Sequence, residues 1–148
     1  MRITYKGDYA LKTMLDLALY YNQGVITIHD LAKRADIPIK FLEQVLLDLK
    51  KGGFVDSKRG VNGGYFLAKP PAQIKIGEVV RFIDGPIEPI ACASLGTVYK
   101  GCADIHKCAF KNLWLEVAKS ISKIIDNVSF EDLCHQIKHK EKIVSYQI

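Results

Sequence analysis

At 148 residues, 49% of them apolar and 25% charged, the chain has the length and composition of one soluble domain, or of a small domain with an appendage, and is long enough for a real core. Its N-terminus lacks a long charge-free apolar core and a small-residue cleavage site, and no stretch approaches the ~18 uncharged apolar residues that span a bilayer, so a cytoplasmic protein with no membrane partner is expected. The net charge of +5 is concentrated in one half: residues 1–72 hold 11 Lys and Arg against 7 Asp and Glu, while residues 73–148 hold 10 against 9, a bias that suits contact with a polyanion but that a merely solvated basic surface also carries.

From Tyr9 to Tyr21, apolar side chains recur at Leu11, Met14, Leu15, Ala18 and Leu19, one face of a helix that Asn22-Gln23-Gly24 ends. Thr27, with Asp30 three residues on, resembles a capping box and opens a short second helix through Leu31 and Ala32. Asp36-Ile37-Pro38 breaks it, and Pro38 suits the first turn of a third helix with Phe41, Leu42, Val45, Leu46 and Leu49 inward and Gly52-Gly53 at its end. Phe54–Lys58 reads as a strand, Arg59–Gly64 as a glycine-rich turn with basic shoulders, and Tyr65–Ala68 as the returning strand of a hairpin. Three helices followed by a two-stranded wing make a winged helix-turn-helix.

Ile76–Ile83 reads as a brief amphipathic helix, and Gly85 to about Lys107 as a long loop without sustained period. Ala109–Asp126 is a strong helix carrying Leu113, Trp114, Val117, Ile121, Ile124 and Ile125 on one broad stripe, Ser129 begins a last short helix through Leu133, and the Lys-rich tail is expected to fray. The fold class is therefore mainly α with a small β-wing. Its expected divisions are a winged helix-turn-helix DNA-binding domain over 1–84, a cysteine-bearing loop over 85–108, and a dimerisation helix with a C-terminal tail over 109–148.

A recognition helix needs polar side chains near its N-terminus that reach base edges, backed by an apolar face. Lys40, Glu43 and Gln44 lie on the polar side of the third helix, with Phe41 among its anchors. Gln pairs with adenine, Glu accepts from cytosine N4, and Lys reaches guanine or phosphate. Arg59 at the wing tip suits a narrow, electronegative minor groove, and Gly60 permits tight turning and close approach to a backbone. Lys58 and Lys33 are weaker candidates for phosphate contact. A surface helix beside an ordinary hairpin is the plain alternative; the two elements in succession favour DNA. A winged helix used for protein assembly, with no DNA role, is the rival of a different class. No dinucleotide or phosphate motif and no nucleophile–base constellation is present, so an enzyme is not expected.

All four cysteines, Cys92, Cys102, Cys108 and Cys134, fall in the C-terminal half. In a cytosolic protein clustered thiols point to metal binding or redox chemistry rather than to disulfides.

The stretches MRITYKGDYALKTMLDLAL, FLEQVLLDLKKGGFVDSKRGVNGGYFLAKP and IKIGEVVRFIDG resemble the IscR/NsrR/CymR family of bacterial winged-helix regulators over nearly the whole chain, the segment from LEQ to RG-x-x-GGY-x-L being the specific part. The resemblance implies a homodimer held by the helix Ala109–Asp126, a pseudo-palindromic double-stranded DNA operator, and contacts from the third helix and the wing. Some members hold an iron–sulfur cluster through three loop cysteines, and others lack it and respond through a partner protein or thiol chemistry. Here Cys92-x9-Cys102-x5-Cys108 precedes Asn112-Leu113-Trp114; the last two cysteines match the cluster pattern in spacing, and the loop after Cys92 is four residues longer than the common one. The position three residues past the third cysteine, a His ligand in the IscR type, is Lys111. The NsrR type recruits an aspartate at the start of the first helix of the other subunit, where this chain has Asp8, which could equally be a first-turn acid set against the helix dipole. His106 and Cys134 are the reserve ligands, with Cys134 also readable as a small apolar core residue.

The expected function is thus a homodimeric repressor or activator whose operator binding is controlled by an iron–sulfur cluster, [4Fe-4S] or [2Fe-2S], that senses nitric oxide, redox state or iron–sulfur supply. The alternatives are a cluster-free regulator acting through a partner protein or thiol chemistry, and a structural zinc held by the same thiols.

Overall fold

In the computed structural model, which describes residues 2–93, 100–102 and 107–146, helix α1 (Tyr5–Leu19) is packed by four other helices. Its buried face carries Ala10, Met14 and Leu17. The helix starts a turn earlier than its apolar period. Thr4 is its N-cap, accepting from the Gly7 amide at 3.0 Å. The Asp84 carboxylate in turn receives the Thr4 amide at 3.0 Å and the Thr4 hydroxyl.

Helix α2 (Ile28–Ala35) opens on Thr27, whose hydroxyl oxygen accepts from the Asp30 amide, and closes at Asp36 in the left-handed conformation. Helix α3 (Ile39–Lys51) follows from Pro38. Strands β1 (Val55–Lys58) and β2 (Gly64–Leu67) pair antiparallel, Val55 opposite Leu67 and Lys58 opposite Gly64. Tyr65 also exchanges two backbone hydrogen bonds with Ile26, which ties the hairpin to the α1–α2 connection. The fold class expected from the sequence is thereby met: helices with one small two-stranded sheet.

Helix α4 (Ile76–Asp84) lies against α1, and helix α5 (Ala109–Asn127) is fixed to it by a two-pronged Arg81–Asp126 pair at 2.6 and 2.9 Å. Of the 19 residues of α5 only Ala118 is buried; Phe110, Leu113 and Ile124 are at least half exposed. Around the α5–α6 junction the chain hydrogen-bonds back to residues 74–76, Ile76 donating to Val128 and Phe130 to Ile74. Helix α6 (Phe130–Tyr146) then returns to α1, with Phe130 wholly buried and Cys134 nearly so. Ser129 and Asp132 form a reciprocal cap at its start, each accepting from the other's amide.

Two sequence expectations are corrected. The tail beyond Leu133 is helical as far as Tyr146 rather than frayed. Phe41 does not point inward: it is 61% exposed and its ring lies beside the Tyr9 ring, with centroids 6.2 Å apart. Leu42, Val45, Leu46 and Leu49 already form a complete stripe at helical spacing, and Phe41 lies beside it.

Candidate functional site

The buried stripe of α3 leaves Lys40, Glu43 and Gln44 exposed on its outer side. Gln44 donates its amide Nε2 to both Asp48 carboxylate oxygens at 3.3 Å. Asp48 itself, one turn further on, sits 2.6 Å from Lys6 of α1 and 3.8 Å from Lys51, and the Lys6 ammonium, with Gln44 and Lys51 adding to it, holds its carboxyl below the usual aspartate range.

The wing is stapled to the same helix. Lys50 donates to the Ser57 hydroxyl at 2.6 Å and lies 3.5 Å from Asp56, linking the strand that leads to the wing tip to α3. Between helix and wing runs a groove of about 420 Å³ whose rim includes Glu43, Lys50, Lys58 and Arg59. Arg59 and Gly60 are exposed at the tip. Gly60 has φ +110°, a conformation that L side chains rarely adopt, so the turn itself requires glycine there. The structure thus brings Lys40, Glu43, Gln44, Arg59 and Gly60 onto the exposed surface of one helix–wing unit. Polar side chains on a helix edge can hydrogen-bond base edges in a major groove, and cations on a hairpin can meet phosphates or a minor groove.

Phe41 belongs to a different surface. With Tyr5 and Tyr9 of α1 it lines an apolar hollow of about 420 Å³ that also touches Gln44 and Lys6. Lys6, Asp48 and Lys50 are the neighbours of the candidate residues that the sequence reading did not name. The i,i+4 spacing of Gln44 and Asp48 is a legible signal; the approach of Lys6 from another helix is not.

The cysteines lie elsewhere. Cys92 is half-buried in a short 3-10 turn, Ala91–Ala93; Cys102 is exposed; Cys108 is the half-buried N-cap residue of α5, and none forms a disulfide. Cys134 is buried in the α1–α6 core, and burial pushes its thiol pKa up, which makes it a poor ligand. Asp8 lies half-exposed in the first turn of α1, paired with Lys12 at 2.7 Å. Among the described residues no three His, Cys, Asp or Glu side chains gather into a metal-holding group, and His106 lies outside those residues.

A family model, Rrf2, described as an iron-dependent transcriptional regulator, matches residues 3–136. The chain belongs to the Rrf2 family. A Rhodobacter capsulatus protein described as an rrf2-like HTH-type transcriptional regulator is 42% identical, over 88% of this chain and 91% of its own length. The transcriptional regulator IscR of Cronobacter sakazakii is 35% identical, over 90% and 80%. Among solved structures, CymR of B. subtilis, titled the global cysteine regulator, superposes with a TM-score of 0.78 at 29% identity, covering 92% of this chain and 98% of that one. T. potens IscR does so with a TM-score of 0.74 at 30% identity, covering 93% and 88%. As a member of the Rrf2 family the chain is a transcriptional regulator, not an enzyme, and its fold is the winged helix of these regulators. No described helix is long and apolar enough to cross a membrane.

Proposed function

We propose that the chain is a homodimeric, operator-binding regulator that reads a pseudo-palindromic double-stranded site with α3 and the wing, and whose affinity is set by an iron–sulfur cluster. The observation that carries the DNA reading is the stapled helix–wing unit, in which Lys40, Glu43, Gln44 and Arg59 are exposed together. Glu43 and Gln44 are the base-reading residues, Lys40 serves guanine or phosphate, and Arg59 with Gly60 enters the minor groove. Phe41 contributes packing beside the interface rather than an inward anchor.

The dimer rests on α5. A helix with one buried residue and a stripe of half-exposed Phe110, Leu113 and Ile124 calls for a second apolar surface, and a second copy supplies the same stripe. In the expected division of the chain, 1–84 binds DNA, 85–108 senses and 109–148 dimerises.

For the cluster, the donor set fits in kind: Cys92, Cys102 and Cys108 are free thiols bracketing one loop, and thiolates are the ligands that iron–sulfur clusters take. Three thiols of one chain leave a fourth position, for which Asp8 of the partner subunit is the proposed donor, and Lys111 is not a ligand. When bound, the cluster supplies a centre that reacts with oxidants and nitric oxide. The chain's own part is mechanical. Asp84, immediately before the loop, holds the Thr4 cap of α1, so a displaced loop start pulls on the helix that packs against α3. Control follows only if the two states differ in DNA affinity.

A second reading, a cluster-free regulator, is favoured by one observation: the described donors are not gathered in the single chain. Anaerobic purification separates the two. Iron, acid-labile sulfide and visible absorption that vanish in Cys92→Ala, Cys102→Ala or Cys108→Ala support the cluster. Stoichiometric zinc without sulfide, or colourless metal-free protein that still shifts operator DNA, refutes it and leaves the DNA reading standing.

A further inference from the structure

Asp48 is an odd residue to find on a helix that faces DNA, because phosphates repel a carboxylate. Its side chain is only 17% exposed, and two cations, Lys6 at 2.6 Å and Lys51 at 3.8 Å, offset that repulsion. Lys6 comes from α1, so the carboxylate is held from outside its own helix and its position does not depend on α3 side chains alone.

The chemistry of Asp48 then fixes that of Gln44. An ionised carboxylate accepts hydrogen bonds and donates none, so the end of the Gln44 amide that faces it must be the NH2. Both carboxylate oxygens lie 3.3 Å from Nε2. Oε1 takes no hydrogen bond among the described residues. Without Asp48 the amide could rotate by half a turn at little cost and present either end.

We propose that Asp48 is a positioning residue for base reading: it locks the Gln44 amide with its NH2 on the carboxylate and its carbonyl oxygen free, so that Gln44 selects a base offering an exocyclic amine in the major groove. This inference rests on the reading of α3 as the recognition helix and of Gln44 as a base-reading side chain. Adenine N6 and cytosine N4 are such donors, whereas guanine presents two acceptors there and thymine an acceptor and a methyl group. Locking the amide also removes the freedom that would otherwise admit guanine.

The test uses the full chain and an operator selected by the wild-type protein from random-sequence DNA. Each base pair of that operator is replaced in turn by the other three, and affinities are measured by fluorescence anisotropy at one salt concentration. Gln44→Ala identifies the base pair at which the four-way preference collapses. At that pair the wild type should favour adenine or cytosine by roughly 5- to 150-fold, the range that one bidentate contact spans. Asp48→Asn, which is isosteric and offers either a donor or an acceptor, should raise guanine and thymine several-fold at that pair and leave the other pairs unchanged. Asp48→Glu, which restores an acceptor-only carboxylate, should recover part of the preference. In the Gln44→Ala background, Asp48→Asn should have no further effect at that pair. Uniform weakening across all pairs by Asp48→Asn, or an unaltered preference while Gln44→Ala relaxes it, overturns the role of Asp48 and leaves Gln44 as a reader. A Gln44→Ala protein with wild-type preference at every pair overturns the underlying reading instead.

Discussion

Replacing Gly7 by Ala should destabilise the protein, although alanine is the better helix former by about 0.8–1.0 kcal/mol. Gly7 is buried in the first turn of α1, and a Cβ there would lie 2.2 Å from Asp84 Oδ2 and 2.8 Å from its Cγ. A side chain as short as aspartate can yield only by swinging away, and in doing so it releases the Thr4 amide and hydroxyl. Hydrogen bonds to a charged group contribute about 1.5–3 kcal/mol each; at this exposed site the lower figure applies, so about 3 kcal/mol is lost against about 1 gained. A net loss of about 2 kcal/mol is expected, read by urea unfolding followed by circular dichroism at one protein concentration, since the stability of the proposed dimer depends on concentration. The decisive comparison is the same substitution in an Asp84→Ala background. With the carboxylate gone the three atoms nearest to that Cβ are removed, and Gly7→Ala should then stabilise by about 1 kcal/mol. If Gly7→Ala has the same sign in both backgrounds, Asp84 does not clamp the start of α1.

Phe130→Ala should cost about 3–5 kcal/mol, the range for emptying a buried phenylalanine site; a urea midpoint within error of wild type would mean that α6 does not belong to the core. In native protein a maleimide should label exposed Cys102 readily and Cys134 only on unfolding, with peptide mapping as the readout; early labelling of Cys134 would contradict its burial. Asp132, held below the usual range first by the Ser129 amide and then by its hydroxyl, stabilises the fold fully above the ordinary aspartate pKa of about 3.9 and loses that contribution as pH falls through its lower folded value. Asp132→Asn should therefore flatten the acid limb of the stability curve, and an unchanged limb would refute the cap. Operator affinity should fall steeply with salt, and Arg59→Ala should weaken binding most at operators with A·T-rich minor grooves; an equal loss at all operators would refute its minor-groove role.

Local periodicity and turn chemistry carried much of the fold. The α2 cap at Thr27, the break at Asp36, the buried stripe of α3 and the glycine turn between the strands all depend on residues within a few positions of one another, so sequence spacing reports them directly. The start of α1 at Tyr5 did not show as apolar period, because its first turn is held by Thr4 and by Asp84, 80 residues away. The length of α6 was hidden for another reason. Beyond Cys134 the described residues of the helix bury none of their side chains completely, so nothing marks an inward face, and helix-forming Lys and Glu carry the chain on to Tyr146. Phe41 misled because its neighbours Leu42 and Val45 are core residues, and hydrophobicity alone does not say where a stripe ends.

The site divides along the same line. The exposure of the candidate residues Lys40, Glu43, Gln44, Arg59 and Gly60 was legible from type and position, since exposure on a helix edge or a wing tip follows from local structure. Their orientation was not, because it depends on pairs joined across distant segments: Lys6 with Asp48, Asp84 with Thr4, Arg81 with Asp126. In sequence each of these charges is indistinguishable from one that water alone solvates. The thiols pose the same problem. Spacing places Cys92, Cys102 and Cys108 at one loop, and their chemistry names the metals they suit, but among the described residues they are not gathered into one group. In the proposed dimer, completing the site also requires Asp8, paired with Lys12 in the single chain, to change partners. Lys12→Ala should free Asp8 without removing a ligand. If Asp8 of the partner subunit completes the cluster, that variant should hold its visible absorption at least as long as the wild type under air, while Asp8→Ala loses it faster; equal decay in all three proteins would exclude Asp8 from the ligand set.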